Sequence, residues 1–290
     1  AEDGPGMSFS APLIDVAGLA GLAADEVMIF DCRIDLTDPS KGQRDFLAGH
    51  IPGAVYADLD HDLSDLSRQS EGLGRHPLPT AAAFSATLGR WGWRPDRPVV
   101  CYDAGNGALA AVRLWWMLRA VGAQSVAVLD GGLAAWLAAG RPLEAGEPAP
   151  RVPTHVDVSF APSMIVDHVG AARAASHGNL VDARAEARYR GEVEPLDRVA
   201  GHVPGALNRP FACNLQPDGR FKPPAALRGE WLALIGAREP AAIVHMCGSG
   251  VTAIHNLLAM EQAGLGGSRL YPPSWSGWIS DPSRPVAVVD

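Results

Sequence analysis

Short runs of consecutive apolar residues punctuate this chain, and stretches with helical spacing lie between them. In the first half, residues 27–31, 99–102 and 126–129 predict strands, and residues 108–121, with Trp115 and Trp116, predict a helix. In the second half, residues 180–182, 242–246 and 269–271 predict strands, and a helix is expected over about residues 251–263. Short strands alternating with helices imply an α/β fold, with mainly parallel sheets flanked by helices. In such sheets ligands bind beyond the carboxyl ends of the strands.

The pattern is written twice. Ala48-Gly49-His50-Ile51-Pro52-Gly53-Ala54 returns as Ala200-Gly201-His202-Val203-Pro204-Gly205-Ala206. Ile29-Phe30-Asp31-Cys32-Arg33 matches Leu180-Val181-Asp182-Ala183-Arg184, and Val99-Val100-Cys101-Tyr102-Asp103 matches Ile243-Val244-His245-Met246-Cys247. Gly131-Gly132-Leu133 ahead of Trp136 corresponds to Pro273-Ser274-Trp275 ahead of Trp278. Landmarks in the same order predict two copies of one domain. The first is expected at residues 7–145, a Pro- and Ala-rich linker at 146–160, and the second at 161–290. Features present in both copies are expected to shape the fold. These are the turns around His50 and His202 and the Asp-x-Arg stretches ending in Arg33 and Arg184. At one position the copies part: the first has Asp103 where the second has Cys247. One active site, on the second domain, is the economical expectation.

Composition narrows the partners. Lys and Arg number 24 against 32 Asp and Glu, and the resulting net charge of −8 argues against a nucleic-acid-binding surface. No apolar run reaches the roughly 18 residues of a membrane span, and no signal peptide is recognisable. Residues 1–6 precede Met7 and read as a cloning remnant. The cysteines, Cys32, Cys101, Cys213 and Cys247, form no Cys-x-x-Cys pair and no cluster at zinc spacing. They read as reduced thiols of a cytoplasmic protein, with no metal or organic cofactor implied. Cys32 and Cys101 end or follow apolar runs, as small buried hydrophobes do, while Cys213 is ambiguous.

Cys247 differs. An apolar strand runs into it, Gly248, Ser249, Gly250, Val251, Thr252 and Ala253 follow, and a helical pattern begins. A thiol there lies among backbone N–H groups at a helix N-terminus, an electropositive setting that favours thiolate. Glycines at 248 and 250 permit the φ values such a loop requires. The amides from Gly248 to Ala253 would cradle the sulfur, and the hydroxyls of Ser249 and Thr252 could hydrogen-bond to it. Cys247 is therefore the candidate nucleophile. A phosphatase loop would need an Arg six positions after the Cys, and that position is Ala253.

The tandem domains, the Gly-His-Ile/Val-Pro-Gly-Ala turns and the loop from Cys247 to Ala253 resemble two-domain rhodanese-type sulfurtransferases, from about Ser8 onward. The loop is similar to that of 3-mercaptopyruvate sulfurtransferases. Thiosulfate sulfurtransferases more often carry Arg and Lys in place of Gly248 and Ser249. The resemblance implies sulfur transfer from a small anionic donor, with 3-mercaptopyruvate favoured and thiosulfate the alternative. The acceptor is left open between cyanide, a small thiol, thioredoxin and another protein. A Ser–His–Asp relay for proton transfer is also implied, matched here by Ser249, His76 and Asp60. The last two fall in the first predicted domain, which would put the site at the domain interface.

The resemblance further implies arginines that bind the donor's carboxylate. Arg188, in Arg188-Tyr189-Arg190-Gly191, matches the first. The family's second directly follows a Glu-Pro pair. Here Glu194-Pro195 is followed by Leu196-Asp197-Arg198, so either Arg198 substitutes from a shifted position or the contact is lost. A second departure lies in Tyr271-Pro272-Pro273-Ser274-Trp275-Ser276-Gly277-Trp278. The family stretch is similar to Gly-Ser-Trp-Ser-Glu-Trp, so Pro273 and Gly277 are replacements, and both tryptophans read as core and a wall of the site. A non-catalytic sulfur carrier or interaction module is the remaining alternative, separated from an enzyme by turnover with a donor and cyanide.

Overall fold

The structure, a computed structural model, describes residues 8–105 and 110–290. Residues 1–7, and residues 108–109 at the head of one predicted helix, lie outside the described residues. The chain divides into two compact units. One holds the chain up to Leu63, Pro79–Ala161 and Asp218–Arg220; the other holds Ser64–Leu78, Pro162–Pro217 and Phe221–Asp290.

In the first unit β1 (Leu13–Ile14), β2 (Met28–Asp31), β3 (Val55–Tyr56), β4 (Val99–Tyr102) and β5 (Val126–Leu129) form a parallel sheet in the order β1-β5-β4-β2-β3. The central strands β2, β4 and β5 are buried throughout, which is why they are uninterrupted apolar runs rather than alternating ones. Around the sheet lie α1 (Val16–Ala20), α2 (Lys41–Ala48), α3 (Ala81–Arg90), α4 (Ala110–Ala120) and α5 (Gly132–Ala138). Asp15 and Thr80 start α1 and α3 by accepting from the amides of Gly18 and Ala83. Trp115 and Trp116 of α4 are fully buried, each contributing roughly 3 kcal/mol or less through removal of apolar surface from water.

The second unit repeats the plan. Strands β6 (Leu180–Asp182), β7 (Leu207–Asn208), β8 (Val244–Met246) and β9 (Arg269–Leu270) form a parallel sheet in the order β7-β6-β8-β9. Its helices are α6 (His168–Ser176), α7 (Glu186–Arg190), α8 (Pro224–Ile235), α9 (Ala253–Gln262) and α10 (Ser274–Trp278). Trp275 and Trp278 join Tyr271, Met246 and Val203 in its core. The predicted strand at 242–246 is shorter because residues 240–242 form a 3-10 turn. No helix of the described residues is long and apolar enough to cross a membrane.

The repeated residues do equivalent structural work. Arg33 pairs with Asp31 at 2.7 Å and donates to Gly49 O at 2.6 Å. Arg184 pairs with Asp182 at 2.7 Å and donates to Gly201 O at 2.7 Å. His50 stacks on Phe46 and bonds its carbonyl; His202 does the same with Tyr189. Gly53 and Gly205 close the turns with φ of 83° and 88°, where a side chain would be strained.

Candidate active site

Cys247 directly follows β8, at the carboxyl end of its sheet, and is 1% exposed. Asp103 stands at the same point after β4. Leu133 N donates to Asp103 O at 2.9 Å, as Trp275 N donates to Cys247 O at 2.9 Å. The Cys247 loop turns back on its own sulfur: Gly250 N donates to Cys247 Sγ at 3.2 Å. Gly250 has φ 83°, and a Cβ there would lie 2.2 Å from Pro272 O, so glycine is required on two counts. Val251 and Ala253 are buried, and Thr252 is partly buried ahead of α9.

The Cys247 backbone is fixed from α10. Ser274 Oγ accepts from Cys247 N at 3.1 Å and donates to Tyr271 O at 3.0 Å. Among the described residues Ser274 is the one non-glycine with positive φ, at 54°. Its counterpart in the first unit is Gly132, φ 57°. A serine held in a conformation its sibling gives to glycine stores strain that the surrounding bonds must offset.

Residues 64–78 pack within the second unit and bring two side chains to this loop. His76 Nδ1 lies 2.8 Å from Ser249 Oγ, with both side chains buried. The segment is pinned at several points. Arg75 N donates to Ser276 Oγ at 3.0 Å. His168 Nε2 donates to Gly72 O at 3.0 Å, and its Nδ1 then accepts from Tyr271 OH at 2.5 Å. Burial, followed by the Arg284 charge, holds the His168 pKa below its usual value. The replacement at Gly277 has a steric reason: a Cβ there would meet Pro273 Cβ at 2.4 Å and Gly72 O at 3.0 Å. A family-type Glu at 277 would displace this segment.

Two arginines face the loop. Arg188, on α7, donates from Nε and Nη2 to Glu194 at 3.1 Å and from Nη2 to Asp197 at 3.2 Å. Arg75 Nη1 pairs with the other oxygen of Asp197. Burial alone would raise the Glu194 pKa; the Asp197 and Leu196 amides and the Arg188 charge outweigh it and hold it low. Arg198, the predicted second anchor, is exposed and sends Nη2 to Ile279 O at 2.7 Å. Asp60 belongs to the first unit; its amide donates to Asp58 Oδ1 at 2.8 Å, and burial, then the Asp58 charge, raises its pKa. Sequence reasoning missed Arg75 and Ser274. The signals were there: Arg75 directly precedes His76, and Ser274 aligns with a glycine of the other repeat.

This arrangement presents a buried thiol with an amide aimed at its sulfur, a Ser–His pair two residues on, and guanidinium groups nearby for an anion. The Rhodanese-like domain profile matches residues 18–139 and again 167–281. A Pseudomonas aeruginosa protein provisionally named a 3-mercaptopyruvate sulfurtransferase is 48% identical over 97% of this chain and 99% of its own length. A Mycobacterium tuberculosis protein provisionally named the thiosulfate sulfurtransferase SseB is 43% identical over 94% of this chain and 96% of its own. The solved 3-mercaptopyruvate sulfurtransferase from Leishmania major superposes with a TM-score of 0.82 at 34% identity, covering 95% of this chain and 75% of that one.

Proposed function

This chain belongs to the rhodanese family, and on that premise we propose that it is a sulfurtransferase working through a persulfide on Cys247, with 3-mercaptopyruvate as its favoured donor. The observation that carries the reading is Cys247 at the end of β8, with Gly250 N on its sulfur and the His76–Ser249 pair beside it. In the first step the Cys247 thiolate attacks the donor sulfur. The donor's C–S bond breaks, its carbon takes the electron pair, and the donor's thiol proton moves to that carbon through Ser249 and His76, giving pyruvate. Asp60 matches the Asp of the relay by resemblance alone. In the second step a cyanide or thiol acceptor attacks the terminal sulfur, the S–S bond breaks, and the Cys247 thiolate returns. Thioredoxin is a reasonable protein acceptor in the cytoplasm, where all four thiols would stay reduced.

The donor's carboxylate meets Arg188, whose planar fork suits two oxygens. Thiosulfate is a second reading, and one observation favours it: Arg75 and Arg188 supply beside Gly248 the positive charge that the loop itself lacks. Measuring kcat/KM for both donors with cyanide as acceptor decides between them. Absence of turnover with either would leave a carrier module. The parsing into domains 7–145 and 161–290 around a linker at 146–160 is part of the same proposal. Limited proteolysis within 146–160 supports it, and cleavage elsewhere first counts against it.

A further inference from the structure

Resting on the sulfurtransferase reading, we propose that Arg75 is the second anion anchor of the donor site, in place of an arginine after Glu194-Pro195 and in place of Arg198. A Cβ built on Gly248 would lie 3.0 Å from Arg75 Nη2 and 3.5 Å from both terminal nitrogens of Arg188. The two guanidinium groups therefore converge on the residue next to the nucleophile. Glycine at 248 leaves this space to the tips of the two arginines.

Asp197 couples the pair. One of its oxygens takes Arg75 Nη1 and the other takes Arg188 Nη2. The side chains of Asp197 and Glu194 are 5% exposed, against 30% for Arg75 and 17% for Arg188. The carboxylates lie beneath and the cations face outward, which leaves Arg75 Nη2 and Arg188 Nη1 turned toward the loop. Position 196, where the family's arginine would stand, holds Leu196, 58% exposed and without a donor group. Arg198 is engaged with Ile279 O. The backbone of residue 75 is set independently of its side chain, by the bond from its amide to Ser276 Oγ. Truncating the side chain should therefore leave His76 in place.

The test compares Arg75→Ala, Arg75→Lys and Arg75→Ala/Asp197→Asn with the unmodified protein. For 3-mercaptopyruvate, Arg75→Ala should raise KM about ten- to hundredfold with kcat within about threefold, and Arg75→Lys should recover part of the loss. Adding Asp197→Asn should not restore KM if Arg75 contacts the donor. Restoration would mean Arg75 only neutralises Asp197 and would overturn the proposal. Calorimetric titration of pyruvate into the Cys247→Ser protein, with and without Arg75→Ala, reads anion binding without turnover. Weaker pyruvate binding on loss of Arg75 supports the anchor, and unchanged binding refutes it. Failure of the unmodified protein to take up donor sulfur would instead refute the sulfurtransferase reading, and the pyruvate titration would still decide the role of Arg75.

Discussion

Ser274 offers a sharp test of how the Cys247 loop is held. Replacing it with Ala removes the acceptor from the buried Cys247 amide, at a cost of about 1–3 kcal/mol for an unsatisfied buried N–H. The residue would still have to adopt φ near 54°, a conformation that costs a non-glycine about 1–2 kcal/mol. Ser274→Gly loses the same hydrogen bond but relieves that strain, as Gly132 does in the other repeat. Glycine's extra backbone entropy takes back about 0.5–1 kcal/mol. The stability order should therefore be Ser, then Gly, then Ala, with Ala about 2 kcal/mol below the parent and Gly between them. Urea unfolding of the three proteins, followed by tryptophan fluorescence, measures this. A shifted Cys247 backbone should also slow sulfur uptake at least about tenfold in both variants. An Ala variant as stable as the parent, or a Gly variant less stable than Ala, would refute the reasoning.

Other consequences follow from the same geometry. His76→Asn and Ser249→Ala should each lower kcat about a hundredfold with 3-mercaptopyruvate, which must move a proton to carbon. With thiosulfate, whose sulfite leaving group needs no proton, the same variants should keep rates within a few-fold; equal losses with both donors would remove the pair from proton transfer. Arg188→Ala should raise donor KM about tenfold or more with little change in kcat, and an unchanged KM would remove it from the site. His245 lies fully buried in β8 against Ser268 and Trp231, and burial pushes its pKa down to about 3. Because the folded pKa is depressed, the unfolded chain takes the proton first. Stability is complete above about pH 6.5 and falls by about 1.4 kcal/mol per pH unit below it. Denaturation midpoints between pH 7 and pH 4 should show that slope, and His245→Gln should flatten it.

Much of this protein is legible in the sequence for identifiable reasons. Strands β4, β5 and β6 fall on the predicted residues because they are buried on both faces, so their apolar runs have no polar interruptions. The repeat separated His50, His202, Arg33 and Arg184, which build turns, from Cys247, which does not recur. What stayed hidden depends on contacts far apart in sequence. Nothing local says that residues 64–78 join the second unit, since His76 meets Ser249 across 173 residues. Arg75 reads as one more solvated charge until Asp197 is seen to hold it beside Gly248. The left-handed backbone of Ser274 is equally invisible, because serine carries no signal for it.

The central claim is that the Cys247 sulfur carries the transferred atom. Intact-protein and peptide mass spectrometry after brief exposure to 3-mercaptopyruvate tests it most directly. An added mass of about 32 Da is expected on the Cys247 peptide, removed by cyanide and absent from Cys247→Ser. A mass gain on Cys32, Cys101 or Cys213 instead, or turnover surviving in Cys247→Ser, would contradict it.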